Sequence, residues 1–146
     1  MIHMRRKFST VARSLREASK MTHVTELDLS SSDSFVCKNM MCEFVGESCI
    51  CRLALWTYQN QTKLSTLKTL NLSSNSLTKL PDTLFDFNTI ETLDLSFNRL
   101  QHIPETITNL SSLTVLDLRG NPILSEDSTN KNVLKQLNAN CKVLFD

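Results

Sequence analysis

Glycine is nearly absent from this chain: Gly46 and Gly120 are the only two in 146 residues. Two isolated glycines cannot build the Gly-rich loop whose backbone cradles a phosphate, so nucleotide sites of that kind are excluded. An excess of one charge is also missing. Sixteen Lys and Arg stand against 15 Asp and Glu, a formal net charge of +1. That balance argues against a strongly basic nucleic-acid binder and against a disordered polyelectrolyte. No apolar run exceeds a few residues, which leaves no candidate membrane span. The first residues lack the 7–15-residue apolar stretch of a secretory signal, so a reducing compartment and free thiols are expected. Five cysteines, an odd number, cannot all pair internally in any case.

Leucine is what the chain has in quantity, with 23 residues, and it recurs with a period. Leu67, Leu70, Leu72, Asn75 and Leu77 read L-x-x-L-x-L-x-x-N-x-L. The string returns at Ile90, Leu93, Leu95, Asn98 and Leu100, and again at Leu113, Leu116, Leu118, Asn121 and Ile123. Starts at 67, 90 and 113 give a period of 23 residues both times. The second halves align too: Leu80-Pro81 with Ile103-Pro104, Leu84 with Ile107, and Phe87 with Leu110.

Each part has a physical reason. Leu70 and Leu72 alternate with polar neighbours, the period of a half-buried strand. The Asn after them can bond backbone groups of the turn leaving the strand, and stacking would extend those bonds into a ladder. Leu80-Pro81 enforces an extended bend. No single repeat can bury its own leucines, so they must stack into one column with covered ends.

These residues resemble the leucine-rich repeat family, in the 23-residue form with an L-P tail found in intracellular members. The resemblance is densest over 67–123. It implies an α/β solenoid, a short horseshoe of about four or five parallel strands, with an N-terminal helical cap and a C-terminal helix-strand cap. We read 1–146 as a single domain. An amphipathic helix is expected over 5–21, on Phe8, Val11, Ala12, Leu15 and Ala18. Degenerate repeats with a Cys-containing irregular insert are expected over 22–66. Val24 and Leu27-Asp28-Leu29 open the first, Ser32 and Ser34 stand where Asn and Leu should be, and Ile50, Leu53 and Leu55 offer one more strand. The regular repeats run over 67–123 and the C-terminal cap over 124–146. In that cap Thr129 or Asn130 would open a helix burying Val133, Leu134 and Leu137, and a strand-like Cys141–Asp146 would close it.

In such a fold the residues beside the strand leucines form columns on the concave face. One is Asp28, Asn71, Asp94 and Asp117; the one before is Glu26, Thr69, Thr92 and Val115. After them come Ser30, Ser73, Ser96 and Arg119, then Ser31, Ser74, Phe97 and Gly120. The face is hydroxyl-rich and mildly acidic, with one aromatic and one Arg at its C-terminal side, and both types are enriched at binding hot spots. Phe97, Asp94, Asp117, Arg119, Asn71 and Thr92 are therefore the candidate partner-binding residues. The competing reading is that this column only keeps a sheet face soluble. The resemblance implies a non-enzymatic adaptor, expected to be a monomer, holding a helix or loop of a basic protein and binding no nucleic acid. The alternative is a constitutive subunit of a larger assembly, as small repeat proteins of axonemal dynein and the spliceosome are.

Other chemistry is thin. Cys37, Cys42, Cys49 and Cys51 are close in sequence but lack the paired C-x-x-C spacing of a zinc site, so no metal and no cofactor are expected. His3, His23 and His102 are scattered and support no catalytic triad. The sequons at Asn60, Asn71 and Asn109 arise readily from repeat composition and are expected to be unused. Residues 1–20 carry six basic groups and one acid, +5 against −4 for the remainder. That basic segment has two readings besides a cap: a mitochondrial presequence, or a contact with an anionic membrane surface. A cytoplasmic or nuclear location is expected, with a mitochondrial one as the alternative.

Overall fold

A computed structural model describes residues 10–32, 35, 40–43, 51–80, 82–123, 127–137 and 141–146. Three of its strands come from the regular repeats: β3 (Thr69–Asn71), β4 (Thr92–Asp94) and β5 (Val115–Asp117). They pair in parallel with Leu70, Leu93 and Leu116 in register. Outside them lie β1 (Val11–Ala12), β2 (Glu26–Asp28) and β6 (Lys142–Leu144). The six strands form one open sheet in chain order, all pairs parallel. Of the six, β6 is the strand of the expected C-terminal cap, and β1 is the one that the sequence reading assigned to a helix.

Each coil leaves the sheet through a turn and returns along the back. The strand leucines Leu27, Leu70, Leu93 and Leu116 are buried, as are Leu29, Leu72, Leu95 and Leu118 two residues on. The back of the regular coils is a tight 3-10 turn, Asp82–Asp86 and Glu105–Asn109, burying Leu84 and Ile107 against the same column. At about 25 cal/mol per Å² of apolar surface buried, such a column supplies the main driving force for folding.

The asparagines carry the backbone across the turns, where no sheet partner exists. Asn98 Nδ2 donates to the Leu95 carbonyl of its own coil (3.0 Å) and the Leu72 carbonyl of the preceding coil (2.9 Å). Its Oδ1 accepts from the Asn75 and Leu77 amides, both at 3.0 Å. Asn75 bonds the Leu29 and Leu72 carbonyls and the Ser32 amide likewise. Asn121 repeats the pattern towards Leu95, Leu118 and the Leu100 amide. At Ser32, which stands in the Asn position of the first coil, the backbone amide donates to Asn75 Oδ1.

The N-terminal expectation needs correction. Instead of a helix over 5–21, Val11–Ala12 is a strand, paired with Glu26 and Leu27, and the helix α1 covers only Leu15–Ser19. Residues 1–9 lie outside the described set. Ser14 causes the break: its Oγ accepts the Glu17 amide (2.9 Å), and Glu17 returns its carboxylate to the Arg13 amide (3.1 Å). This is close to a capping box, which starts a helix after Ser14 and leaves Ala12 to fill a strand position at the column.

The weak middle also differs. Residues 51–55 form no strand: Cys51–Gln59 is the helix α2, Ile50 lies outside the described residues, and β2 pairs directly with β3. One long coil therefore replaces the two degenerate repeats expected over 22–66. Period decides it. Leu53 and Thr57, four apart, are buried, whereas Leu55, which strand alternation would bury, is 58% exposed. Thr57 Oγ1 meets Thr83 Oγ1 at 2.9 Å, seating α2 on the 82–86 turn. The leucine missing at 34 is answered by Phe35, which is fully buried.

At the other end the helix α3 (Ser128–Gln136) is capped by Asp127, whose Oδ1 accepts from Thr129 and Asn130. Neither Thr129 nor Asn130 caps it. Asn130 is buried instead and accepts the Ile103 amide at 3.0 Å. β6 then lies against β5 with Val143 beside Leu116.

Candidate functional site

The side chains beside the strand leucines share one local chemistry. Asp28, Asn71 and Asp94 each turn one carboxyl or amide oxygen back to the residue two positions on, accepting both its amide and its hydroxyl. The acceptor distances are 2.6–3.1 Å at Ser30, Ser73 and Ser96. The column therefore closes the strand ends, a stronger structural reason for these residues than solubility alone.

Asp117 occupies the same place but meets Arg119 instead of Ser. Arg119 donates from its amide and Nε to Oδ1 (3.1 and 3.0 Å) and from Nη2 to Oδ2 (2.8 Å). Asp117 is only 7% exposed. The Arg119 side-chain bonds hold its carboxyl below the ordinary aspartate value, against the opposing effect of burial. The same pair raises Arg119, whose side chain is half exposed. Nε and Nη2 are committed, so the guanidinium is fixed in orientation with its outer edge towards solvent.

Phe97 is the oddest residue of the face. Ser31, Ser74, Phe97 and Gly120 fill equivalent positions, and all four have positive φ: 48°, 58°, 55° and 71°. Left-handed backbone costs an ordinary L-residue about 1–2 kcal/mol, and a bulky one is a clear outlier. Phe97 nevertheless sits there with its side chain 62% exposed. It is locked by its amide to the Arg119 carbonyl (2.8 Å) and rests against Gly120. A Cβ on Gly120 would fall 2.5 Å from Phe97 Cδ1. The Gly120 amide in turn donates to Asp146 Oδ2 (2.6 Å).

Four of the predicted residues, Phe97, Asp94, Asp117 and Arg119, thus gather at the C-terminal end of the strand face. Asn71 lies one strand away, in register with Asp94. Thr92 lies at the opposite end of β4, paired with Thr69 and Val115, and does not join the cluster. Gly120 and Asp146 complete the cluster and were not among the candidates. The signal for Gly120 was present, since a glycine beside Phe97 in the repeat is the one residue that leaves room for the ring. Nothing in the repeat pattern points to Asp146.

Of the cysteines, Cys42 is partly buried and Cys51 exposed, and burial raises the Cys141 thiol. Cys37 and Cys49 lie outside the described residues. Among the described residues no group of His, Cys, Asp or Glu is arranged to hold a metal ion, and no helix is long and apolar enough to cross a membrane.

Parallel coils stacked on a leucine column and stitched by asparagines define an α/β solenoid of repeat type. Models of the leucine rich repeat match residues 65–123 and 112–137, together half of the chain, and the chain belongs to the leucine-rich repeat family. Solved structures agree in fold. A leucine-rich repeat protein of Leptospira interrogans is 23% identical, with a TM-score of 0.59 over 91% of this chain and 28% of that one. An internalin of Listeria monocytogenes is 20% identical, with a TM-score of 0.58 over 90% and 31%. The chain spans less than a third of the length of either. No curated protein matches it in sequence. Membership defines the general role, a protein–protein interaction module.

Proposed function

We propose that this protein is a non-enzymatic adaptor that holds a partner protein on its strand face, centred on Phe97. The observation that carries this reading is the aromatic ring itself. An exposed phenylalanine in left-handed backbone, where sister coils place Ser or Gly, costs folding energy and gains little burial. Strain of this kind is retained where something else uses the residue. Around the ring stand Asp94, Asp117 and Asp146 against Arg119, a local excess of two negative charges, which favours a basic helix or loop. Six strands at about 4.8 Å spacing give a face some 24 Å across, enough for one such segment.

The test is affinity capture with the wild type beside Phe97→Ala/Asp94→Asn. Asn71 shows that Asn keeps the strand-end bonds, so the variant removes ring and charge while leaving the coil intact. Loss of a captured protein supports the site; equal retention of every captured protein refutes it. The second reading, a constitutive subunit, is favoured by Met40 and Met41, both almost fully exposed. It requires stoichiometric co-purification that survives the Phe97 variant.

A further inference from the structure

The opposite end of the solenoid has the opposite charge. Helix α1 buries Leu15 and Ala18 against the column, and Arg13 just before it, Arg16 on it and Lys20 at its C-cap are exposed, three and four positions apart. Glu17 is the one acid among residues 10–25, and it is engaged with the Arg13 amide. None of these three cations has an ion-pair partner among the described residues; the two pairs there are Lys68–Glu91 and Arg119–Asp117. A fourth cation, Lys63, reaches the Ser19 carbonyl at the end of α1 (2.9 Å).

Helix α2 adjoins this end of the molecule and carries exposed apolar groups. Trp56 Nε1 donates to Ser19 Oγ (3.2 Å), tying α2 to α1. On α2, Leu55 and Tyr58 are three apart and remain 58% and 66% exposed. The fold does not use them.

We propose that this end of the molecule docks on an anionic phospholipid surface. Clustered Arg and Lys would meet lipid phosphates and carboxylates, while Leu55 and Tyr58 enter the headgroup layer beside them. A lipid sheet fits better than nucleic acid on two grounds. The cations are confined to one short coil and its neighbour, whereas a strand of nucleic acid is tracked by a basic groove. Exposed Leu and Tyr beside the charge suit the water–lipid boundary, where amphipathic rings are favoured. The contact is peripheral, and it is independent of the Phe97 site at the far end of the strand face.

The experiment is co-sedimentation of the full chain with phosphatidylcholine vesicles, with or without phosphatidylserine, at low and high salt. Binding is expected to need the anionic lipid and to fall as salt rises. Each basic residue near such a surface is worth about fivefold in affinity, so Arg13→Gln/Arg16→Gln/Lys20→Gln should lose about 100-fold. Its thermal midpoint and circular dichroism should match the wild type. Leu55→Ser/Tyr58→Ser should weaken binding most at high salt, where charge is screened, and Phe97→Ala should bind vesicles as the wild type does. Equal binding to neutral vesicles, no binding at low salt, or an unaffected triple variant would overturn the proposal. So would tighter binding to duplex DNA or to an acidic polypeptide than to anionic vesicles.

Discussion

Asn98→Ala tests the ladder where its loss costs most. Asn98 is buried, and its two polar atoms serve the Asn75 and Leu77 amides and the Leu72 and Leu95 carbonyls. Truncation removes the acceptor of the Asn75 and Leu77 amides, while the Leu72 and Leu95 carbonyls keep their bonds from Asn75 Nδ2 and Asn121 Nδ2. Each buried amide that loses its acceptor costs about 1–3 kcal/mol, reduced where water enters the vacancy. We expect a total near 4 kcal/mol, against a stability of roughly 7–20 kcal/mol for a chain of this size. At about 2–4 °C per kcal/mol, the thermal midpoint should fall by roughly 8–16 °C. Asn121→Ala is the internal control. Asn121 sits at the end of the ladder, is partly exposed, and accepts one amide rather than two. It should cost about half as much. Urea unfolding followed by circular dichroism measures both. A loss below 1 kcal/mol for Asn98, or an equal or larger loss for Asn121, would refute the view that the asparagines carry the backbone between coils.

Three further outcomes follow from the same geometry. Gly120→Ala should destabilise by about 2–4 kcal/mol, from left-handed backbone plus the clash with Phe97, and adding Phe97→Ala should recover the clash portion; additive losses in that double-mutant cycle would contradict the packing. Leu93→Ala, at the centre of the column, should cost about 3–5 kcal/mol by chemical denaturation, well above any exposed leucine such as Leu55. Asp117 is depressed in the folded state, so its pairing stabilises above the ordinary aspartate value near 4 and is lost as pH falls below it. Arg119→Ala should flatten that acid limb of the stability profile and leave the curve above pH 6 parallel to the wild type.

The leucine column was legible because every position is stated three times, at 67–123, and stacking gives each statement the same neighbours. The strand face followed from it, since outward positions are fixed once the inward ones are known. The first coil misled for a physical reason. Val11, Leu15 and Ala18 suit a helix, but Ser14 and Glu17 form a cap that starts it four residues after Val11, and the capping box was there to be read. Leu53 and Leu55 alternate like a strand, while Leu53 and Thr57 pack like a helix, and only the seat on the 82–86 turn selects between them. Asp117 read as an outward-facing acid like Asp28, Asn71 and Asp94, which are only partly buried. Its burial comes from one substitution of the motif, Arg119 for Ser, whose side chain folds over it. The left-handed backbone of Phe97 was not legible from its own residue type at all; it comes from the turn that Ser31, Ser74 and Gly120 share.

The most direct measurement replaces Phe97 with a photoreactive phenylalanine analogue and, separately, His102, an exposed residue on the returning segment of the same coil. Irradiation in cell extract should crosslink the same protein to position 97 repeatedly and leave position 102 without it. A partner trapped at 102 and absent at 97 would contradict the assignment of the strand face as the working surface.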